Sequence, residues 1–110
     1  MNEIMLSTDI KCIRESIYNF FLENYENEKM ALEKSESITQ QILELIKNIN
    51  IKFDKKNNEQ TTKEIHTLKH LLLYADLDEI SDMCQELEND MRVGIFNHQL
   101  KEKIVSKIVK

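Results

Sequence analysis

Apolar residues recur every three or four positions through most of the chain, and each run that keeps this spacing predicts a helix with one face turned to a core. Ile10, Ile13, Ile17, Phe20 and Phe21 form the first stripe, with Ser7, Thr8 and Asp9 ahead of it as N-cap candidates. A first helix is therefore expected over about 9–24. From Glu23 to Ser37 the residues are mostly polar, with Tyr25, Met30, Ala31 and Leu32 as apolar exceptions, and no breaker intervenes. The helix is expected to bend or restart there. Ile38, Ile42, Leu45, Ile46 and Ile49 then share one stripe, which sets a long second helix over about 28–49. A polar connector should follow, made of Asn48, Asn50, Asn57 and Asn58 with Lys52, Lys55 and Lys56 between them. Ile51 and Phe53 would pin it to the core.

Thr61-Thr62-Lys63-Glu64 has the S/T-x-x-E form of a capping box, so a third helix is expected to begin near Thr62. Its core stripe is Ile65, Leu68, Leu72 and Ala75, which leaves His66, Lys69, His70 and Leu73 on a neighbouring strip. Asp76-Leu77-Asp78-Glu79 reads as a second box, opening a fourth helix with Leu77, Ile80, Cys84, Leu87 and Met91 inward. Ser81, Gln85, Glu88 and Arg92 form its side strip. Gly94 stands where a left-handed residue closes a helix, and Asn97 can cap a last one. That last helix would turn Leu100, Ile104, Val105, Ile108 and Val109 inward and Lys101, Lys103, Lys107 and Lys110 outward. The pattern contains no internal repeat and no low-complexity tract. It predicts an all-α, antiparallel up-and-down four-helix bundle at 28–110, with an additional N-terminal helix in an extension at 1–27.

Composition narrows the function. With 110 residues the chain has room for one domain, and with one Gly and no Pro it lacks the turn chemistry of sheet folds. The same scarcity of glycine excludes a P-loop, a Rossmann turn and the glycine-rich lid of an ATP-binding kinase domain. Fifteen Lys+Arg against 20 Asp+Glu leave a net charge of −5, which argues against nucleic acid as partner and favours a protein. The longest apolar run, Leu71 to Ala75, is far too short to span a bilayer, so no membrane partner is expected. Cys12 and Cys84 follow no secretory leader pattern, and each is expected to be a free buried thiol in a reduced, cytoplasmic protein. Phe20, Phe21, Phe96 and the methionines read as core or rim filler.

The candidate chemistry lies on the third helix. His66 and His70 stand four apart and could grip a transition metal, but such a site needs a third ligand, for which only Cys84, Glu88 or His98 would serve, and Lys69 would repel the ion. No metal is expected. Alternatively, a solvent-facing His66 can take a phosphoryl group on one ring nitrogen if the other is fixed by an acceptor and a cation stands near. Lys69, three residues on, supplies the cation. The fourth helix returns antiparallel from a short turn at Asp76, which puts its strip from Gln85 to Glu88 opposite His66. Glu88 is the orienting carboxylate.

Ile65-His66-Thr67-Leu68-Lys69, followed by Leu77 through Glu88 with Cys84, Leu87 and Glu88, resembles the histidine phosphotransfer (HPt) domain. The resemblance is closest to the phosphotransfer domain at the N-terminus of chemotaxis histidine kinases, and Arg92 to Phe96 is similar to the turn after that domain's third helix. It covers about residues 28–105 and leaves the first helix aside. It implies a phosphorelay role in a two-component system, with His66 as phosphoacceptor, Lys69 stabilising the phosphoryl group, Glu88 orienting the imidazole and Gln85 adding a hydrogen bond. The implied partners are a response-regulator receiver domain, which would hold the Mg²⁺, and a histidine kinase; the chain itself would bind no cofactor and have no kinase activity of its own. The chain departs from the family at His70, where the family has glycine, and at Leu71, Leu72 and Leu73, where it has small residues. Such bulk would hinder a docking receiver. The alternative role is a non-catalytic helical interaction module, with a metal-binding bundle on His66 and His70 behind it.

Overall fold

The computed structural model describes residues 2–54 and 58–108, and within them the chain is five helices and no strand. They are α1 (Asn2–Tyr25), α2 (Glu28–Asp54), α3 (Asn58–Tyr74), α4 (Asp78–Arg92) and α5 (His98–Ile108). The fold is the expected all-α antiparallel bundle. α1 packs on α2, α2 on α3 and α3 on α4, while α5 leans on α4. One core joins them. Ile13, Ile17 and Phe21 of α1, Ile38, Ile42, Ile46 and Ile49 of α2, Ile65, Leu68 and Leu72 of α3, and Cys84, Leu87 and Met91 of α4 are all buried in it. Phe20 and Phe96 are partly buried at its rim.

The links after α1, α3 and α4 are short because those helices are closed by left-handed residues. Glu26, at φ 51°, stops α1 with a bond from its N–H to the Leu22 carbonyl. Asn27 then caps α2, its Oδ1 accepting from the Met30 amide at 3.0 Å. The restart expected between Glu23 and Ser37 is therefore a two-residue corner. Gly94 ends α4 as expected, at φ 83°, with the amides of Gly94 and Ile95 bonded back to Met91 and Asp90. Asn97 caps α5 through the Leu100 amide at 3.1 Å.

Several expectations are corrected. α1 runs through Ser7, Thr8 and Asp9 instead of starting at them, since nothing from Asn2 onward interrupts a helix. α2 continues five residues past Ile49 to Asp54, so Asn48, Asn50 and Lys52 belong to a helix rather than to a connector; Lys55, Lys56 and Asn57 lie outside the described residues. Phe53 is buried, whereas Ile51 is exposed and pins nothing. α3 begins at Asn58, so Thr61 falls inside its first turns. Thr61 is fully buried with its hydroxyl unpartnered among the described residues, and Glu64 pairs with Lys52 of α2 at 2.8 Å. The capping box does not form. An ion pair across two helices takes the carboxylate that the box required.

Asp76 does not cap α4 either. At φ 59° it closes α3, with Asp76 N–H bonded to Leu73 O at 3.2 Å and Leu77 N–H to Leu72 O at 3.1 Å. The residue before α4 is Leu77, which has no capping side chain, and the acidic Asp78 and Glu79 face the positive end of the helix dipole instead. In α5, Lys101 is buried rather than outward. Its Nζ donates to Asn50 Oδ1 at 3.0 Å, pairs with Glu102 at 2.7 Å and lies 5.7 Å from the centre of the Phe53 ring. Lys103 and Lys107 are exposed as expected; Val109 and Lys110 are outside the described residues.

Candidate functional site

The seam between α3 and α4 carries the site, and its register is fixed at three successive points. Nearest the turn, the buried Ser81 donates its hydroxyl to the Lys69 carbonyl at 3.1 Å. Next, Lys69 Nζ donates to Gln85 Oε1 at 2.5 Å. Farthest from the turn, His66 Nδ1 stands 3.2 Å from Glu88 Oε2 and 3.3 Å from Oε1. Ten residues from His66 to the corner are thus matched by about ten coming back, as two antiparallel helices of equal rise require.

His66, Lys69, Gln85 and Glu88 are brought together in this way, at different depths. The Glu88 side chain is 1% exposed and that of Lys69 15%, while the His66 ring is 49% exposed. A carboxylate sunk in the seam therefore holds an imidazole that faces water. Gln85 acts on Lys69 and not on the ring. Its amide nitrogen donates to Asn89 Oδ1 at 2.9 Å, which turns its carbonyl oxygen toward the ammonium.

Two further residues belong to the constellation: Arg92, read from the sequence as part of the side strip of α4, and His70, read there as a possible metal ligand beside His66. Arg92, one turn beyond Glu88, donates to Glu88 Oε2 from a largely exposed side chain. His70 places its Nε2 3.2 Å from the Nε2 of His66, with the two rings at 74° and their centres 4.6 Å apart. The signal for both was the four-residue spacing, which stacks side chains on one face of a helix.

Glu88 thus accepts from three cationic or potentially cationic groups, and Lys69 Nζ reaches its Oε1 at 3.3 Å. Burial pushes its carboxyl upward, but the hydrogen bonds from Arg92, His66 and Lys69 outweigh that and hold it below the usual glutamate range. Glu88 is therefore an anion at neutral pH and can only accept. A neutral His66 must carry its proton on Nδ1, which leaves a lone pair on Nε2. Beside the ring, an open cleft is lined by Thr62, Lys63, His66, Thr67, Glu88 and Arg92.

Behind the seam, burial pushes the Cys84 thiol up to about 12, with Lys69 pulling it down and Glu88 adding to the rise. It is packing, not a nucleophile. Cys12, expected to be buried, is exposed. Among the described residues, no group of three or more His, Cys, Asp and Glu side chains could hold a metal ion, so the His66–His70 pair finds no third ligand. Nor is any described helix long and apolar enough to cross a membrane.

Comparison with curated proteins and with solved structures returned no match. The sequence model of one family does match, over residues 30–104, which takes in nearly all of α2, the whole of α3 and α4, and most of α5. With a helical bundle, an exposed histidine on its third helix and a buried carboxylate opposite, the chain belongs to the Hpt domain family.

Proposed function

We propose that His66 is the phosphoacceptor of a two-component phosphorelay, exchanging a phosphoryl group with a receiver-domain aspartate. The observation that carries this reading is the bond between His66 Nδ1 and the buried Glu88 carboxylate, which leaves Nε2 as the nitrogen with the lone pair on a half-exposed ring. In the acceptor direction the Nε2 lone pair attacks the phosphorus of an aspartyl phosphate. The N–P bond forms, the P–O bond breaks and the aspartate leaves as a carboxylate. The return transfer reverses each step. Such a reaction depends mostly on positioning and on charge at the transferring oxygens.

Glu88 fixes the ring's tautomer and direction and offsets the charge that the ring gains on phosphorylation. Lys69 and Arg92, both bonded to Glu88, would be the cations that stabilise the added group, and Gln85 with Asn89 keeps Lys69 in place. Mg²⁺ would be contributed by the receiver, and a histidine kinase would be the upstream source of phosphoryl groups. The test is incubation with a phosphorylated receiver and Mg²⁺. The wild-type chain should take the label and His66→Gln should not; label that persists in His66→Gln places the acceptor elsewhere.

A second reading is a module that binds a receiver without exchange. It is favoured by His70 beside the ring and by Leu73, exposed on the same strip. Of the bulky residues there, Leu72 is buried in the core and so presents nothing to a partner. Stable complex formation without label would support this module.

A further inference from the structure

The nitrogen left free by Glu88 is not open. His70 Nε2 lies 3.2 Å from His66 Nε2, within hydrogen-bonding range, and both rings are on the exposed face of α3. With Glu88 ionised and His66 neutral, the direction of this bond follows. His66 Nδ1–H donates to the carboxylate, His66 Nε2 has only a lone pair, and His70 must be the donor through its own Nε2–H. The lone pair that would attack phosphorus is the one that His70 occupies.

We propose that His70 is a gate on the phosphoacceptor nitrogen, holding His66 in a closed state from which it is released only when the His70 ring rotates away. The inference rests on the phosphotransfer reading of His66. Phosphorus bonded to Nε2 would stand where the His70 donor now stands, so the bond must break before transfer. The His70 ring is free to leave, because it is exposed on the helix surface and exposed rings change rotamer in picoseconds to nanoseconds. The gate therefore acts on the population of reactive His66 rather than as a slow step, lowering the apparent rate by the closed fraction. One net hydrogen bond of ordinary strength sets that factor at about two- to tenfold.

The test uses phosphoramidate, a small donor that needs no docking surface. Nε2 attacks its phosphorus, the donor's P–N bond breaks, and ammonia leaves with the proton from the donor's own nitrogen. Initial labelling rates are read by intact mass for the wild type, His70→Ala and His70→Gln. Alanine suits an exposed helix position, so the fold is retained. His70→Ala should label about two- to tenfold faster, and His70→Gln, which keeps an N–H donor, should remain close to the wild type. An unchanged or slower rate in His70→Ala overturns the gate, a slower one making His70 a support for the transferred group.

In parallel, long-range ¹H–¹⁵N spectra follow the two ring nitrogens of His66. The gate requires the Nε2 resonance to shift in His70→Ala while Nδ1 stays protonated. An Nε2 resonance that does not move overturns it whatever the labelling. If neither the wild type nor His70→Ala takes label, the phosphotransfer reading fails, and the spectra still decide whether His70 caps the nitrogen.

Discussion

Glu88 and Lys101 are both charged side chains folded out of water, and the protein uses them differently. Glu88 sits in the α3–α4 seam beneath three donors, and two of these, His66 and Arg92, extend into solvent. Lys101 sits where α5 meets the end of α2, held by the Asn50 amide oxygen, by Glu102 and by the face of Phe53. Each satisfies the rule that a buried charge must be paired. Both have a partner that faces water, but that of Lys101 is the Glu102 carboxylate, whereas that of Glu88 is an imidazole with a second ring nitrogen to offer. A buried charge by itself therefore says little about function; what matters is the chemistry of the partner it holds.

This contrast can be broken by substitution. Glu88→Gln should have the largest effect, since it removes the charge-assisted bond that fixes His66. Transfer to the chain should fall about 10- to 100-fold, measured as the initial rate of label uptake from a phosphorylated receiver. An unchanged rate would place Glu88 with Lys101 among purely structural charges.

Acid sharpens the same contrast. The Glu88 carboxyl is held below its usual range in the folded protein, so its contribution to stability is full above the unfolded value near 4.5 and is lost as pH falls through the folded one. The unfolding free energy of the wild type, measured by urea titration, should drop in this window by up to about 1.4 kcal/mol per pH unit from this group. Glu88→Gln should lack that component. Parallel curves for the two proteins would remove Glu88 as the source.

Thr61 offers a third buried polar group for comparison, one whose hydroxyl finds no partner among the described residues. Thr61→Val, which replaces the hydroxyl by a methyl, should raise stability by about 1 kcal/mol, read from the urea midpoint. The smallest effect is expected at Lys101. Lys101→Met keeps the length of the chain inside the core and should change stability by less than about 1 kcal/mol, with label uptake unaffected. A large loss of transfer in this variant would mean that the α5 joint is coupled to the site.

Helix stripes were legible because burial and periodicity are the same information, and so were His66, Lys69, Gln85 and Glu88, because a short corner fixes which residues of two antiparallel helices meet. The helix ends were harder to read. Thr61-x-x-Glu64 and Asp76-x-x-Glu79 have the residues of a capping box, yet Lys52 claims Glu64 and the left-handed conformation claims Asp76. Both outcomes depend on partners or backbone angles that local spacing does not encode. Lys101 was read outward because lysine normally is; Asn50 and Phe53, 51 and 48 positions earlier, are what draw it in. Arg92 and His70 were visible as neighbours by spacing, and what the sequence withheld was the direction of their hydrogen bonds.

The corner from Ala75 to Leu77 acts as a length standard. Because successive residues of a helix are set about 100° apart around its axis, one residue added to or removed from this link would swing Glu88 away from the imidazole by more than a quarter turn. The same change would break the bond from Ser81 to the Lys69 carbonyl. The alignment of His66 with Glu88 thus depends on the count of residues in a three-residue link that contains neither, and an insertion there should abolish label uptake while leaving the protein helical.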